Sequence, residues 1–299
     1  MSELHPRFRI RAPLRCDGIG RLDCAEDAES GERLAVRWLP LEANGAVAVR
    51  AVEQLPAHAA LPKVRQTGQV GAAAFAVVDF PQGETLAARG RLSEVELLRL
   101  ASQLSQALAA LHAQGVVHGE ISPDSVLLTA DGRAVLWDIP LVVANRLTDR
   151  RGESRLLQQL SKSAPYLSPE RARGEGASSE GDVYALGAML CVAAGAPLPS
   201  YATTLGLVHL VATGAWAPRV PEGLPERLRE SLGRMVSPEP ARRPAAPEVA
   251  TVLAQLGTAA TVPELRLPQE ILDAADALLR EQAEATRAPS ASARAPYHA

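Results

Sequence analysis

Lysine is almost missing from this sequence. Among 31 basic residues only Lys63 and Lys162 are lysines, and the others are arginines. Any ammonium group that holds a phosphate must therefore come from one of these two positions. Aromatic residues make up only 3% of the chain, and the net charge is -3. Both values argue against a nucleic-acid partner, which needs a basic surface or aromatic platforms for its bases.

Cysteine is sparse too, and long apolar runs are missing. Cys16, Cys24 and Cys191 form no CxxC pair. A disulfide framework or zinc site is therefore not indicated, and a reducing, cytoplasmic setting is expected. The longest apolar run, residues 183–198, is broken by glycines and a proline, which predicts a buried helix rather than a membrane span. The first ten residues lack the apolar core of a secretory signal.

The clearest local pattern that is present lies at residues 118–140, HGEISPDSVLLTADGRAVLWDIP. Two short apolar runs in it flank an Asp-Gly pair, which predicts a β-hairpin. Polar side chains suited to chemistry lie on both sides of this hairpin. Those before it are His118, Glu120, Ser122 and Ser125, and Asp138 follows it directly.

This spacing resembles the catalytic loop and metal-binding turn of eukaryotic-type Ser/Thr protein kinases, H-R-D-L-x-x-x-N followed by D-F-G. Asp138 falls at the metal-binding Asp, and Glu120 keeps a carboxylate at the position of the base. The longer Glu side chain displaces that carboxylate, and misplacement by ~1 Å can cost about 100-fold in rate. The remaining chemical positions are changed: Gly119 stands for Arg, Ser122 for Lys, Ser125 for Asn, and Ile139-Pro140 for Phe-Gly. The resemblance thus implies a kinase fold with a degenerate active site.

The same resemblance places the phosphate-binding elements near the N-terminus. The Gly-rich loop keeps Gly20, but Asp17 would oppose a bound triphosphate, and an ordinary hairpin turn is the favoured interpretation. Arg37 stands at the phosphate-binding lysine, and two interpretations stay open: a bulkier phosphate contact or a surface arginine. The following helix, 45–55, has no glutamate at the pairing position near Val49 or Arg50, and Glu53 is the only nearby acid. The usual ion pair is therefore expected to be missing.

The hinge is expected directly after residues 75–80, with Val78 as gatekeeper and Asp79 next to it. In the family, the third residue after the gatekeeper donates its backbone N–H to adenine. That residue is Pro81, which has no N–H. Nucleotide contacts are therefore expected to be weak at best, and the candidates for them are Gly20, Arg37, Val78 and Asp79.

The later motifs concern architecture rather than chemistry. Ser168-Pro169-Glu170 resembles the closing A-P-E motif, and Asp182 matches the acid of the buried helix that follows. Arg243 matches the late D-P-x-x-R-P element, and the resemblance implies a buried pair between Glu170 and Arg243. It also implies that His118 packs beneath the metal-binding turn as a structural residue.

These motifs predict an α+β, bilobal fold resembling the protein kinases. A small β-rich N-lobe with a reduced helix would occupy 8–80, and a larger, mainly helical C-lobe 81–257. A capping box at Ser93 and Glu96, followed by apolar residues at three- and four-residue spacing from Val95 to Leu111, predicts a long amphipathic core helix with these residues on its buried face. A C-terminal helical extension at 258–285 and a disordered tail at 286–299 are expected to follow.

The expected function is that of a pseudokinase, a non-catalytic module that binds or regulates a protein partner such as an active kinase. ATP and Mg are expected to bind weakly or not at all. The alternative is a weakly active Ser/Thr kinase with Glu120 as base and Asp138 as metal ligand. A small-molecule phosphotransferase is disfavoured, because the Ser-Pro-Glu and late Arg-Pro motifs are typical of protein kinases.

Overall fold

The computed structural model describes residues 3–16, 20–41, 45–137 and 163–259. In its N-terminal part, five antiparallel strands form one sheet in the order β1-β2-β3-β5-β4. The strands are β1 (Phe8–Cys16), β2 (Arg21–Asp27), β3 (Arg33–Pro40), β4 (Val64–Val70) and β5 (Ala73–Asp79), and helix α1 (Gly45–Glu53) lies between β3 and β4 along the chain. The three strands expected between residues 8 and 39 are confirmed.

The part after the sheet is mainly helical. Its helices are α2 (Leu86–Arg89), α3 (Glu94–Ala113), α4 (Pro169–Ala172), α5 (Ser179–Ala193), α6 (Thr204–Thr213), α7 (Glu226–Met235) and α8 (Ala246–Ala259). A small sheet of β6 (Glu84–Thr85), β7 (Val126–Leu128) and β8 (Ala134–Leu136) accompanies them. The chain therefore has the α+β, two-lobed architecture predicted from the sequence.

The predicted hairpin is formed by β7 and β8. Val126 pairs with Leu136 and Leu128 with Ala134, and the Thr129 N–H donates to the Arg133 carbonyl at 2.9 Å. Gly132 has a φ of 76°, a conformation that glycine adopts without a steric cost. The Asp-Gly pair therefore closes the turn as the pattern indicated.

Helix α3 begins at the predicted capping box. The Glu96 N–H donates to the Ser93 hydroxyl, and Glu96 Oε2 accepts from the Ser93 N–H at 2.9 Å. Two otherwise orphaned N–H groups are thereby satisfied. The apolar face of this helix is buried in the main core together with α5, as predicted. Val95 is an exception, because it lies in the first turn and is 43% exposed; its expected place on the core face was wrong.

Helix α5 is buried on almost every side, including Val183, Leu186 and Leu190. This is the helix predicted from the longest apolar run. Among the described residues, no helix is long and apolar enough to cross a bilayer. The expected C-terminal extension and tail lie outside the described residues, except for the last positions of α8.

Candidate active site

A buried carboxylate fixes the segment that resembles a catalytic loop. Asp182, in the first turn of α5, is 1% exposed. Its Oδ2 accepts from the His118 N–H at 2.8 Å, and its Oδ1 accepts from the Gly119 N–H at 2.7 Å. His112 Nε2 lies 2.9 Å from Oδ2 and must be the donor there, since a carboxylate only accepts. The loop backbone is thus held in one place by charge-assisted hydrogen bonds.

His118 is itself buried, with 1% of its surface exposed. Its Nδ1 accepts from the Glu120 N–H at 3.3 Å. This contact turns the imidazole into the loop rather than toward a substrate. The geometry is that of a structural histidine.

The hydroxyl of Ser125, which stands at the position of the metal-binding Asn, is used within the loop. It donates to the Ser122 carbonyl at 2.8 Å and accepts from the Ser122 N–H at 3.0 Å. The only proton of the hydroxyl is therefore committed to a local contact. Ser122 and Ser125 brace one another, and both are 6% exposed.

The same loop holds the residue that precedes Asp138. The Trp137 N–H donates to the Ser125 carbonyl at 3.0 Å, and the Trp137 indole Nε1 donates to the Asp124 carbonyl at 3.0 Å. Asp138 itself lies outside the described residues, as do Asp17, Ile139 and Pro140. Within the described ranges, no group of three or more His, Cys, Asp or Glu side chains is arranged to hold a metal ion.

The Glu120 carboxylate interacts with the guanidinium of Arg171. It lines a small cavity of about 40 Å³ together with Ser163, Arg171 and Asp182. Burial lowers the pKa of the Arg171 guanidinium, and the carboxylates of Glu120 and Asp182 raise it. The carboxylate at the base position therefore serves as part of the counter-charge for Arg171.

Arg37 is buried in the sheet. It is 4% exposed on β3, and its neighbours in the sheet register are Leu22 and Ala76. The interpretation as a surface arginine was wrong, because the side chain is buried. The interpretation as a phosphate contact stays a prediction.

The helix next to this strand presents an apolar face to the sheet. Val49, near the position of the family's glutamate, is 6% exposed and packs with Leu39 and Ala74. Glu53, the nearest acid along the helix, instead accepts a hydrogen bond from the Thr67 hydroxyl at 2.5 Å. Among the described residues, Glu53 is therefore engaged on β4, away from the pairing position.

Gly20 is required by packing. A Cβ built at this position would lie 2.0 Å from the Trp38 carbonyl oxygen, which is far inside van der Waals contact. The backbones of β2 and β3 approach too closely there for any side chain. The surviving glycine of the loop thus has a structural reason that does not involve phosphate.

The backbone N–H groups of the hinge already donate hydrogen bonds within the protein. The Asp79 N–H donates to the Lys63 carbonyl at 2.9 Å, and the Phe80 N–H donates to the Arg33 carbonyl at 3.2 Å. Pro81 has no N–H. The Asp79 side chain is also engaged, since its Oδ1 accepts from Arg65 Nε at 2.5 Å. Residues 79–81 therefore offer no unused N–H group to an adenine ring.

Apolar side chains from both lobes pack together beside this hinge. We call them the interlobe cluster, and its members are Leu22, Ala35, Val78, Phe80, Leu127, Val135 and Trp137. Leu22 and Leu127 are 3% and 4% exposed. The rings of Phe80 and Trp137 lie 5.2 Å apart between centroids. Val78, the gatekeeper by sequence, is one member of this packed set.

Sequence reasoning identified the hinge but not the interlobe cluster. The cluster joins residues from five separate strands, the hinge and the position after β8, so no local periodicity reveals it. One signal was available: Phe80 and Trp137 are two of only six Phe and Trp residues in the chain, and they stand directly before Pro81 and Asp138.

Glu170 and Arg243 form the buried ion pair that the later motifs implied. Arg243 Nη1 and Nη2 donate to the two carboxylate oxygens of Glu170 at 2.6 and 2.8 Å. Arg243 also donates to the Ser237 carbonyl at 2.8 Å, and its guanidinium lies 4.8 Å from the centroid of the Tyr184 ring. This network joins α4, α5 and the segment before α8.

Comparison with known proteins gives the family. The protein kinase domain matches residues 55–252. The Ser/Thr-protein kinase pkn2 of Myxococcus xanthus is 29% identical over 62% of this chain and 24% of its own length. The Ser/Thr-protein kinase PknA of Mycobacterium tuberculosis is 28% identical over 80% of this chain and 58% of its own length.

A third relative, the Ser/Thr-protein kinase PrkC of Bacillus subtilis, is 26% identical over 73% of this chain and 36% of its own length. The chain thus spans between about a quarter and three fifths of these relatives. The family match covers more than half of the chain and agrees with the two-lobed fold and the order of its motifs. The chain belongs to the protein kinase domain family of eukaryotic-type kinases, among bacterial relatives.

Proposed function

We propose that this protein is a pseudokinase, a kinase-fold module that acts by binding another protein and transfers no phosphate. The observation that carries the proposal is the interlobe cluster. In the family, adenine lies against the hinge between the two lobes. Here the apolar side chains beside the hinge are packed against one another from both lobes.

The packing argues against adenine binding on steric grounds. Entry of a planar base would have to separate Leu22 and Ala35 of the N-lobe from Leu127 of the C-lobe, and these three residues are at most 4% exposed. Separating close-packed apolar groups loses both their contacts and their burial. Hydrogen bonds from the hinge would offset little of this loss, since residues 79–81 have no unused N–H group.

The polar groups fit Mg-ATP no better. The Ser125 hydroxyl is committed to Ser122, and no lysine stands at either phosphate-binding position. Glu120 shares a cavity with Arg171 rather than an open cleft. Phosphoryl transfer depends on positioned metal and phosphates, with little covalent work for the protein to do. Loss of those positions removes the basis of catalysis.

Binding of a protein partner, such as an active kinase, is the function that remains for this scaffold. The architecture around Asp182 and the Glu170–Arg243 pair is intact, so the large lobe keeps a defined surface. The cysteines Cys16, Cys24 and Cys191 are free thiols, which favours a cytoplasmic setting.

The second candidate is a weakly active Ser/Thr kinase with Glu120 as base and Asp138 as metal ligand. One observation favours it: Asp182 holds the backbone of His118 and Gly119 in a fixed position, so the loop remains ordered. The relatives are also named as Ser/Thr-protein kinases. For this candidate to work, the interlobe cluster must open when nucleotide enters.

Thermal unfolding with and without Mg-ATP, run beside an assay of phosphate transfer to a protein acceptor, separates the two candidates. A ligand at about 100 times its Kd raises the Tm of a domain of this size by about 5 °C. The pseudokinase is expected to show neither a shift nor transfer. A shift together with transfer that is abolished in Asp138→Ala would establish the weak kinase instead.

A further inference from the structure

A second cavity, of about 460 Å³, lies at the edge of the hinge. Its walls come from the loop before β3, the segment before β4, the end of β5 and the start of β8. Arg33, Lys63 and Arg65 line it from the N-lobe, and Arg133 lines it from the C-lobe. We call this cavity the hinge-edge pocket. The interlobe cluster is a different feature, although its members Phe80 and Val135 also line the pocket.

Two of the four cations in the hinge-edge pocket are already neutralised. Arg65 pairs with Asp79 and Glu32 at 2.5 and 2.8 Å, and Arg133 pairs with Asp131 at 2.6 Å. Arg33 and Lys63 form no ion pair with any residue in the described ranges. Four cations thus face three carboxylates there, which leaves a positive local charge on a chain whose net charge is -3.

Arg33 and Lys63, the two lining cations outside these ion pairs, lie at the wall of the pocket. The Arg33 guanidinium is stacked over the Phe80 ring at 5.1 Å from its centroid, which holds it at the pocket wall without using its N–H donors. Lys63 is one of only two lysines in the whole chain. Its backbone carbonyl accepts from Asp79, so the base of its side chain is fixed beside the hinge.

His58 supplies a neutral donor in the same pocket. Its Nδ1 accepts from the Ala60 N–H at 3.1 Å, which leaves the ring proton on Nε2. Burial lowers the pKa of this histidine, which favours the neutral ring. Arg33, Lys63 and His58 therefore line one cavity with a guanidinium, an ammonium and an imidazole.

We propose that the hinge-edge pocket binds a phosphate-bearing anion through Arg33, Lys63 and His58. Three separate donors suit the three terminal oxygens of a phosphomonoester better than the two oxygens of a carboxylate. The anion can come from a phosphorylated peptide or from a free phosphorylated metabolite, and the chemistry at the pocket is the same for both. This site is independent of the pseudokinase proposal, because it uses none of the residues that resemble the active site except the hinge edge.

The test is calorimetric titration of the full chain at constant ionic strength, with inorganic phosphate, a phosphoserine peptide and the same peptide without phosphate. We expect saturable binding of the phosphorylated probes only. Tighter binding of the phosphopeptide than of inorganic phosphate assigns the site to a phosphorylated protein, and equal binding assigns it to a free phosphate compound. No saturable binding of either probe up to about 10 mM, a concentration that would reveal even the weakest specific sites, overturns the proposal.

Variants of the lining residues test whether the phosphate binds in the hinge-edge pocket. Lys63→Gln removes one charge from an exposed side chain and should weaken phosphate binding about tenfold, the value of one charge-assisted hydrogen bond. Arg33→Gln with Lys63→Gln should abolish it. The matched control is Arg91→Gln with Arg99→Gln, which removes the same charge from exposed arginines outside the pocket. Equal weakening by the control pair would show a general charge effect and overturn the proposal.

Discussion

The rings of Phe80 and Trp137 lie 5.2 Å apart between centroids, inclined at 46° to one another. One ring comes from the hinge and the other from the residue directly before Asp138. Their contact joins the two lobes beside the position at which the family binds adenine. Aromatic pairs at this separation attract beyond the effect of buried area alone, so the contact stabilises the packing of the two lobes at this point.

Truncation of this contact should destabilise the fold. Trp137→Ala removes a side chain that is 8% exposed in total and leaves a cavity between the lobes. We expect a loss of about 3 kcal/mol in the free energy of unfolding, measured by urea denaturation. Val95→Ala is the matched control, since Val95 is 43% exposed, and it should change stability by less than about 0.5 kcal/mol. Equal losses in the two variants would contradict the packed cluster.

The Glu170–Arg243 pair should show strong coupling. Arg243→Met leaves the Glu170 carboxylate buried without its two donors, and we expect a cost of about 3 kcal/mol. The double variant Arg243→Met, Glu170→Gln should cost less than the sum of the two single variants, because no unpaired charge remains. Additive losses in a double-mutant cycle would show that the pair is energetically independent.

The same pair predicts a dependence of stability on pH. Burial acts to raise the pKa of Glu170, but hydrogen bonds from Arg243 and the backbone outweigh it, so the pKa lies below its usual value of 4.5. A carboxylate with a depressed pKa in the folded state stabilises the fold above its unfolded value, and this stability is lost as pH falls through the folded value.

Urea denaturation between pH 6 and pH 3 measures this effect. Wild-type protein should lose stability as the pH falls below about 4.5. In Glu170→Gln the part of that slope due to Glu170 should be missing. Identical slopes in wild type and variant would mean that Glu170 does not titrate with folding.

Substitution of glycine by alanine should change the stability of the fold in opposite directions at two positions. Gly20→Ala places a Cβ 2.0 Å from the Trp38 carbonyl oxygen, and we expect a loss of about 2 kcal/mol from the required backbone shift. Gly233→Ala, on the exposed side of α7 with no atom near its Cβ, should stabilise by about 0.5 kcal/mol through helix propensity. Thermal unfolding of both variants measures the contrast, and stabilisation by Gly20→Ala would contradict the close approach of β2 and β3.

Local features of this fold could be predicted from the sequence because each depends on neighbouring residues. The hairpin of β7 and β8 follows from an Asp-Gly turn between apolar runs, and α3 follows from the Ser93–Glu96 capping box. Val95 was misplaced because the first turn of a helix can point to solvent even when the apolar spacing continues.

Features that depend on distant residues could not be predicted. The burial of Arg37 depends on residues that pack against it from elsewhere in the chain, which its own strand does not reveal. The interlobe cluster brings Leu22 next to Leu127, more than a hundred positions away. The use of Ser125 as a brace for Ser122 depends on a loop geometry that a motif comparison treats only as a lost Asn.

Calorimetric titration of the full chain with Mg-ATP asks whether the protein's own side chains fill the nucleotide site. We expect no saturable heat up to about 1 mM nucleotide, with Trp137→Ala giving at most a weak gain. A Kd in the micromolar range, equivalent to about 8 kcal/mol of binding free energy, would show that the interlobe cluster opens for nucleotide and would overturn the pseudokinase proposal.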